Sequence, residues 1–130
     1  MNKLLVVGAT GLLGKATIKY FKNKKDWKCA GLSRRPHKIG NVQYLRGDLL
    51  DKGSIDRLQS SLHDVTHVLY AALYEMDDLL TGWRHSEQIR TNTFMFQNLT
   101  NALSLYSPKL RHVSILQGTK AYGIHVEPMK

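Results

Sequence analysis

The stretch KLLVVGATGLLG, Lys3–Gly14, decides how the rest of the chain is read. Leu4 to Val7 are apolar without alternation, as expected of a strand buried on both faces at the centre of a parallel sheet. Gly8, Gly11 and Gly14 then follow at even spacing, and beyond them Leu13, Ala16, Thr17, Tyr20 and Phe21 recur at helical intervals. Lysines gather after Phe21, where the negative end of the helix dipole would lie. A strand, a glycine turn and a helix in this order suit the pyrophosphate of a dinucleotide, and each glycine has its own part. Gly8 makes the tight turn, Gly11 leaves the backbone open to the phosphates, and Gly14 lets the helix pack closely on the strand. The N–H groups of Thr10, Gly11, Leu12 and Leu13 would face the phosphates at the positive end of the helix. A glycine turn with packing duties only is the other reading of the same residues.

Outward from this unit, WKCAGLS reads as a second strand, VQYLRGD as a third, and GSIDRLQSSL as a short helix starting near Gly53 or Ser54. THVLYAAL is a fourth strand and LRHVSILQ a fifth. Between them, from about Ser86 to Tyr106, a long helical pattern puts Ile89, Phe96, Leu99, Ala102, Leu103 and Tyr106 on one face, closed by Ser107-Pro108. Alternating strands and helices predict an α/β fold: a Rossmann-type, doubly wound parallel sheet of about five strands in the order 3-2-1-4-5, with a ligand crevice between strands 1 and 4. Without repeats or linkers, residues 1–130 read as one NAD(P)-binding domain.

Composition narrows the classes. No apolar run approaches the roughly 18 to 20 residues of a membrane span, and the start MNKLLVVGATG lacks a cleavage site, so a soluble, cytoplasmic protein with no membrane partner is expected. Cys29 is the sole cysteine, which excludes an internal disulfide and a thiolate metal cluster; within WKCAGL it reads as a buried, inert thiol. The six histidines lack the paired spacing of metal ligands, so no metal is expected. The net charge of +9 favours anionic ligands. It is spread over KYFKNKK, SRRPHK and isolated sites rather than gathered into a nucleic-acid platform, so nucleic acid is not an expected partner.

Some 20 residues beyond the glycines, where NAD-binding proteins commonly carry an acid for the ribose diol, this chain has Ser33-Arg34-Arg35. Two guanidiniums suit a 2′-phosphate, so NADP(H) is expected over NAD(H); an exposed basic loop ending at Pro36 is the alternative. Asp48 could accept the adenine amino group while Leu49 packs the ring edge, or Asp48 could simply form the turn. Ala71 and Ala72, at the end of strand 4, would let a cofactor lie close over the crevice, or serve as ordinary small core residues.

Taken together, GATGLLG, SRRP, GDLLD, NTFMFQNLTNAL and LQGTKAYG resemble the short-chain dehydrogenase/reductase superfamily, its extended and atypical members, and in particular the progesterone 5β-reductase and iridoid synthase-like enone reductases. The resemblance covers the front part of such proteins. It implies NADPH-dependent reduction of the C=C bond of an α,β-unsaturated carbonyl compound, a small-molecule carbonyl substrate, and homodimers formed through parts beyond these residues. The strand-5 exit matches the group's signature at Leu116, Gln117, Gly118, Lys120, Tyr122 and Gly123, which implies that Lys120 is the catalytic lysine near the nicotinamide ribose. The tyrosine it would assist falls beyond residue 130 in the group, and Tyr122 matches a neighbour of the lysine rather than that acid. Arg34 and Arg35 match the phosphate-reading arginines and Asn92 a structural asparagine, whereas YAAL departs from the bulkier strand end of the plant enzymes. Two other functions share these motifs: a non-catalytic NADP(H)-binding or sensing module, and an NAD-dependent sugar-nucleotide epimerase or dehydratase.

Overall fold

A computed structural model describes residues 1–35, 40–78, 82 and 84–118. Its elements, in chain order, are β1 (Asn2–Val7), α1 (Leu12–Phe21), β2 (Trp27–Ser33), β3 (Gln43–Arg46), α2 (Lys52–Asp56), α3 (Gln59–Leu62), β4 (His67–Tyr70), α4 (Ser86–Tyr106) and β5 (His112–Ile115). The strands form one parallel sheet in the order β3-β2-β1-β4-β5, as expected. β1 is central because Leu4 to Val7 are apolar on both sides. Leu5 and Val7 enter one core with Leu32, Val68, Leu99 and Leu103, while Leu4 and Val6 enter a second with Ile18, Cys29 and Val42. α2, α3 and α4 supply residues to the first core and α1 to the second, which is the doubly wound arrangement.

The starts of three strands are tied together at Thr66. Its N–H and hydroxyl bond the Lys3 backbone (Lys3 N to Oγ1, 2.8 Å; Thr66 N to Lys3 O, 3.0 Å), and its carbonyl accepts from Arg111 N at 2.8 Å. Lys3 is nearly buried yet satisfied, since its Nζ donates to Ser61 O and to Asp64 Oδ1 at 2.7 Å. No helix among the described residues is long and apolar enough to cross a membrane.

Four details depart from the sequence pattern. The stripe Leu13, Ala16 and Tyr20 of α1 is exposed; Gly14 and Ile18 are buried instead, with Thr17 and Phe21 half-buried. The helix is rolled onto its glycine because Gly14 is the point of closest approach to the turn before it. In α4, Ile89 is 57% exposed, and the buried position beside it is Gln88, because the first turns of this helix face a loop backbone that needs polar partners. The helix expected from GSIDRLQSSL begins earlier, with Asp51 Oδ1 capping Ser54 N, and breaks into α2 and α3 where Leu58 N turns back to Ile55 O. The fourth strand also stops at Tyr70 rather than running through YAAL, since its neighbour β1 ends at Val7 and leaves no ladder to continue.

Cys29 lies in the second core, 8% exposed, and burial pushes its thiol up to about 11. Only about a thousandth is thiolate at pH 8, so the native chain is expected to react with a disulfide reagent at least about 100-fold more slowly than the unfolded chain. Native and denatured rates within a factor of about three would mean that this core is open.

Candidate functional site

The site grows from the turn after β1. Gly8 takes φ +83, a region that L side chains avoid, and its N–H and that of Ala9 are anchored on Leu32 O of β2 at 3.0 and 3.2 Å. A Cβ on Gly8 would stand 2.7 Å from Ala72 N and 2.8 Å from Ala71 O, so the exit of β4 passes directly against the turn. This is the role the structure gives Ala71 and Ala72: their backbone, which Ala71 N holds to Val7 O at 2.8 Å, forms the wall between strands 1 and 4. A Cβ on Gly14 would collide with Gly8 O. Gly11 differs. It has extended backbone (φ −74, ψ 172), and a Cβ there would meet nothing nearer than Gly8 O at 3.5 Å, so the space over it is open.

That open space lies at the amino end of α1, which has no side-chain cap and no acid in its first turn. The N–H groups of Leu12 and Leu13 precede any intrahelical carbonyl, so they and the dipole face outward without a partner among the described residues. Of the four donors expected from sequence, Gly11 is spent within the turn, donating to Gly8 O at 3.2 Å. The Leu12 side chain, 85% exposed, stands in solvent beside them.

The ends of β2 and β3 supply the other half. Ser33 and Arg46 are paired in register, and Gly47 N donates to Ser33 O at 3.0 Å. A cavity of about 770 Å³ opens there, lined by the expected Thr10, Arg34, Arg35 and Asp48. It is also lined by Asp51 and Ser54, and by Arg46 and Arg57, which the sequence motifs did not single out. Register would have found Arg46, because any residue closing strand 3 must stand beside the one closing strand 2. Ser33 Oγ is buried without a hydrogen-bond partner among the described residues, an orphan at the entrance to the arginines.

Asp48 takes the turn-forming role: its Oδ1 accepts from Leu50 N at 2.9 Å, and its N–H donates to Ser54 Oγ at 2.8 Å. The Leu49 side chain lies in the first core, with its carbonyl bonded by Asn98 Nδ2 at 2.8 Å; the turn made by Asp48 points it inward. Across the crevice the loop after β4 is pinned by α4. Asn92 bonds both Tyr74 N and Tyr74 O at 2.8 Å, and Gln88 Oε1 accepts from Met76 N at 2.9 Å, the structural part expected of Asn92. Below it, the Tyr70 hydroxyl is buried without a partner among the described residues, and burial pushes it up to about 12. Leu116, Gln117 and Gly118 are exposed past the end of β5; Lys120, Tyr122 and Gly123 lie outside the described residues.

An uncapped helix terminus, open space over Gly11 and arginines around one cavity are together the donor set that an anionic dinucleotide needs. Comparison with known proteins agrees with that geometry. Residues 4–128 match the model of the NAD dependent epimerase/dehydratase family. The chain is 32% identical over 135 residues to an (S)-8-oxocitronellyl enol synthase of Catharanthus roseus, covering 97% of this chain and 32% of that protein. It is 31% identical over 126 residues to a 3-oxo-Delta(4,5)-steroid 5-beta-reductase of Arabidopsis thaliana, covering 91% and 31%. It thus spans about a third of the length of these curated relatives. Among solved structures, UDP-glucose 4-epimerase from Bifidobacterium longum in complex with NAD+ and UDP shares the fold, with a TM-score of 0.74 at 14% identity over 94% of this chain and 38% of that one. The glycine turn, the sheet order and the match from residue 4 to residue 128 make this chain a member of the NAD dependent epimerase/dehydratase family.

Proposed function

We propose that the chain supplies the cofactor-binding part of an NADPH-dependent oxidoreductase that reduces the C=C bond of an α,β-unsaturated carbonyl compound. The observation that carries the reading is the arginine-lined cavity at the ends of β2 and β3, where an NAD-binding site would have an acid. The names of the two relatives supply the substrate class, a steroid enone for one and an enol product for the other. Bound NADPH would supply hydride to the β-carbon of the substrate. The residues here do the rest of the cofactor's share. Thr10 and the free N–H groups of Leu12 and Leu13 hold the pyrophosphate at the positive end of α1. Arg34 and Arg35 take the 2′-phosphate in forked hydrogen bonds. By resemblance, Lys120 would be the lysine near the nicotinamide ribose and would lend positive charge to an enolate oxygen that develops in the transition state. The proton donor for that oxygen would come from residues beyond this chain.

The turn separates binding from stability. Gly11→Ala fits the backbone and the space, so thermal stability is expected to hold within about 0.5 kcal/mol while affinity for the dinucleotide falls at least about tenfold, the methyl group standing where the pyrophosphate approaches. Gly14→Ala is expected to do the reverse first, costing about 2 kcal/mol or more through the collision with Gly8 O. Equal effects of the two on melting temperature would remove Gly11 from the binding site.

Arg34→Ala with Arg35→Ala, measured by fluorescence titration, is expected to weaken NADPH at least about 30-fold and NADH less than about threefold. A native chain that binds NADH as tightly as NADPH would sink the NADPH assignment and favour an NAD-holding epimerase or dehydratase.

A further inference from the structure

Four guanidiniums line the cavity, and two of them lie outside the motif that follows β2. Arg46 closes β3 as the register partner of Ser33, so it stands on the strand next to the one whose end leads into Arg34 and Arg35. Its guanidinium has no hydrogen bond or ion pair with another of the described residues, and the same holds for Arg34 and Arg35. Arg57 is different. It follows α2 and lies 3.9 Å from Asp51 Oδ2, so part of its charge is already met within the chain.

The two carboxylates leave the cavity net positive, two against four arginines, and neither bonds Arg34, Arg35 or Arg46. Asp48 is turned onto Leu50 N, and Asp51 is divided between the Ser54 N–H and Arg57. Three such cations around about 770 Å³ repel one another, and an anion seated among them relieves that repulsion. A ribose phosphomonoester carries nearly two charges on three terminal oxygens, more than two forks can fully engage.

We infer that Arg46 is a third phosphate-reading residue, so that the 2′-phosphate is held from two adjacent strands, with Arg57 contributing only to the general positive field. This rests on the reading of the cavity as the 2′-phosphate site. The neighbouring loop supports such a grip. Ser54 Oγ accepts from Asp48 N and lies 2.9 Å from Asp51 O, fixing the path of the chain just past Arg46 without using either arginine.

The test is calorimetric titration of the full chain with adenosine 2′,5′-bisphosphate and with 5′-AMP, which differ by the phosphate in question. Arg46→Ala is expected to weaken the bisphosphate at least about tenfold and 5′-AMP no more than about twofold, with Arg46→Lys recovering part of the loss. Arg57→Ala is expected to weaken the bisphosphate no more than about threefold, because Asp51 already shares its charge. Both arginines are exposed, so melting temperatures should match the native chain and show that folding is not the cause. If Arg46→Ala weakens both ligands alike, or no more than Arg57→Ala does, Arg46 is part of the field and the inference fails. If the native chain prefers the bisphosphate and Arg46→Ala leaves that preference intact, the inference fails while the NADPH reading stands. If the native chain shows no preference for the bisphosphate, both fall together.

Discussion

The structure turns on a contact that leaves no room for a methyl group, between the Cα of Gly14 and the carbonyl of Gly8. Gly8 is at the same time pressed against the backbone of Ala71 and Ala72, so β1, α1 and the exit of β4 converge on a single peptide. Close packing of this kind transmits any added volume, since a core has no slack to absorb it. The contact also fixes how α1 is rolled: with Gly14 innermost, Ile18 and Phe21 follow it onto the sheet, and Leu12, Leu13 and Tyr20 are turned outward. The free end of the helix then points to the carboxyl edge of the strands, where the crevice is.

Charge at that edge is arranged in the same sense as the geometry. The positive end of α1 has neither cap nor acid, and the arginines of β2 and β3 stand nearby without partners among the described residues. At the opposite, amino ends of the strands Lys3 pairs with Asp64, which is held below the usual carboxylate range: burial raises it, and the bond and charge of Lys3, together with its own backbone N–H and the charge of Lys28, outweigh that.

The fold was legible because its signals are large and periodic: an unbroken apolar run for β1, glycines at fixed intervals, and strands alternating with helices, which leave few topologies open. What the sequence hid was rotational. Leu13, Ala16 and Tyr20 make a convincing stripe, but a single close-packed glycine outweighs three partly apolar side chains in choosing the face. The burial of Leu49 was hidden for a similar reason, because a turn made by Asp48 sets which way the next side chain points. The arginines after β2 were legible from position alone; Arg46 and Arg57 were not, since their meeting depends on strand register and on where α2 ends.

The same lesson holds along α4, whose two halves have different work. At Leu99, Ala102 and Leu103 its inner face is apolar and buried, which is ordinary core. Between Gln88 and Asn92 the inner side is polar, and hydrophobic periodicity cannot see it. Those two amides hold Tyr74 and Met76 by their backbones, replacing the ladder that β4 loses once β1 has turned away at Gly8. A strand that ends early leaves peptide groups needing partners. α4 meets that need with side chains, so its first turns give up apolar burial, and Ile89 and Phe94 face solvent as the consequence. The loop so held forms the wall beside the crevice, which makes the polar start of α4 part of the site's architecture, although neither Gln88 nor Asn92 lines the arginine cavity.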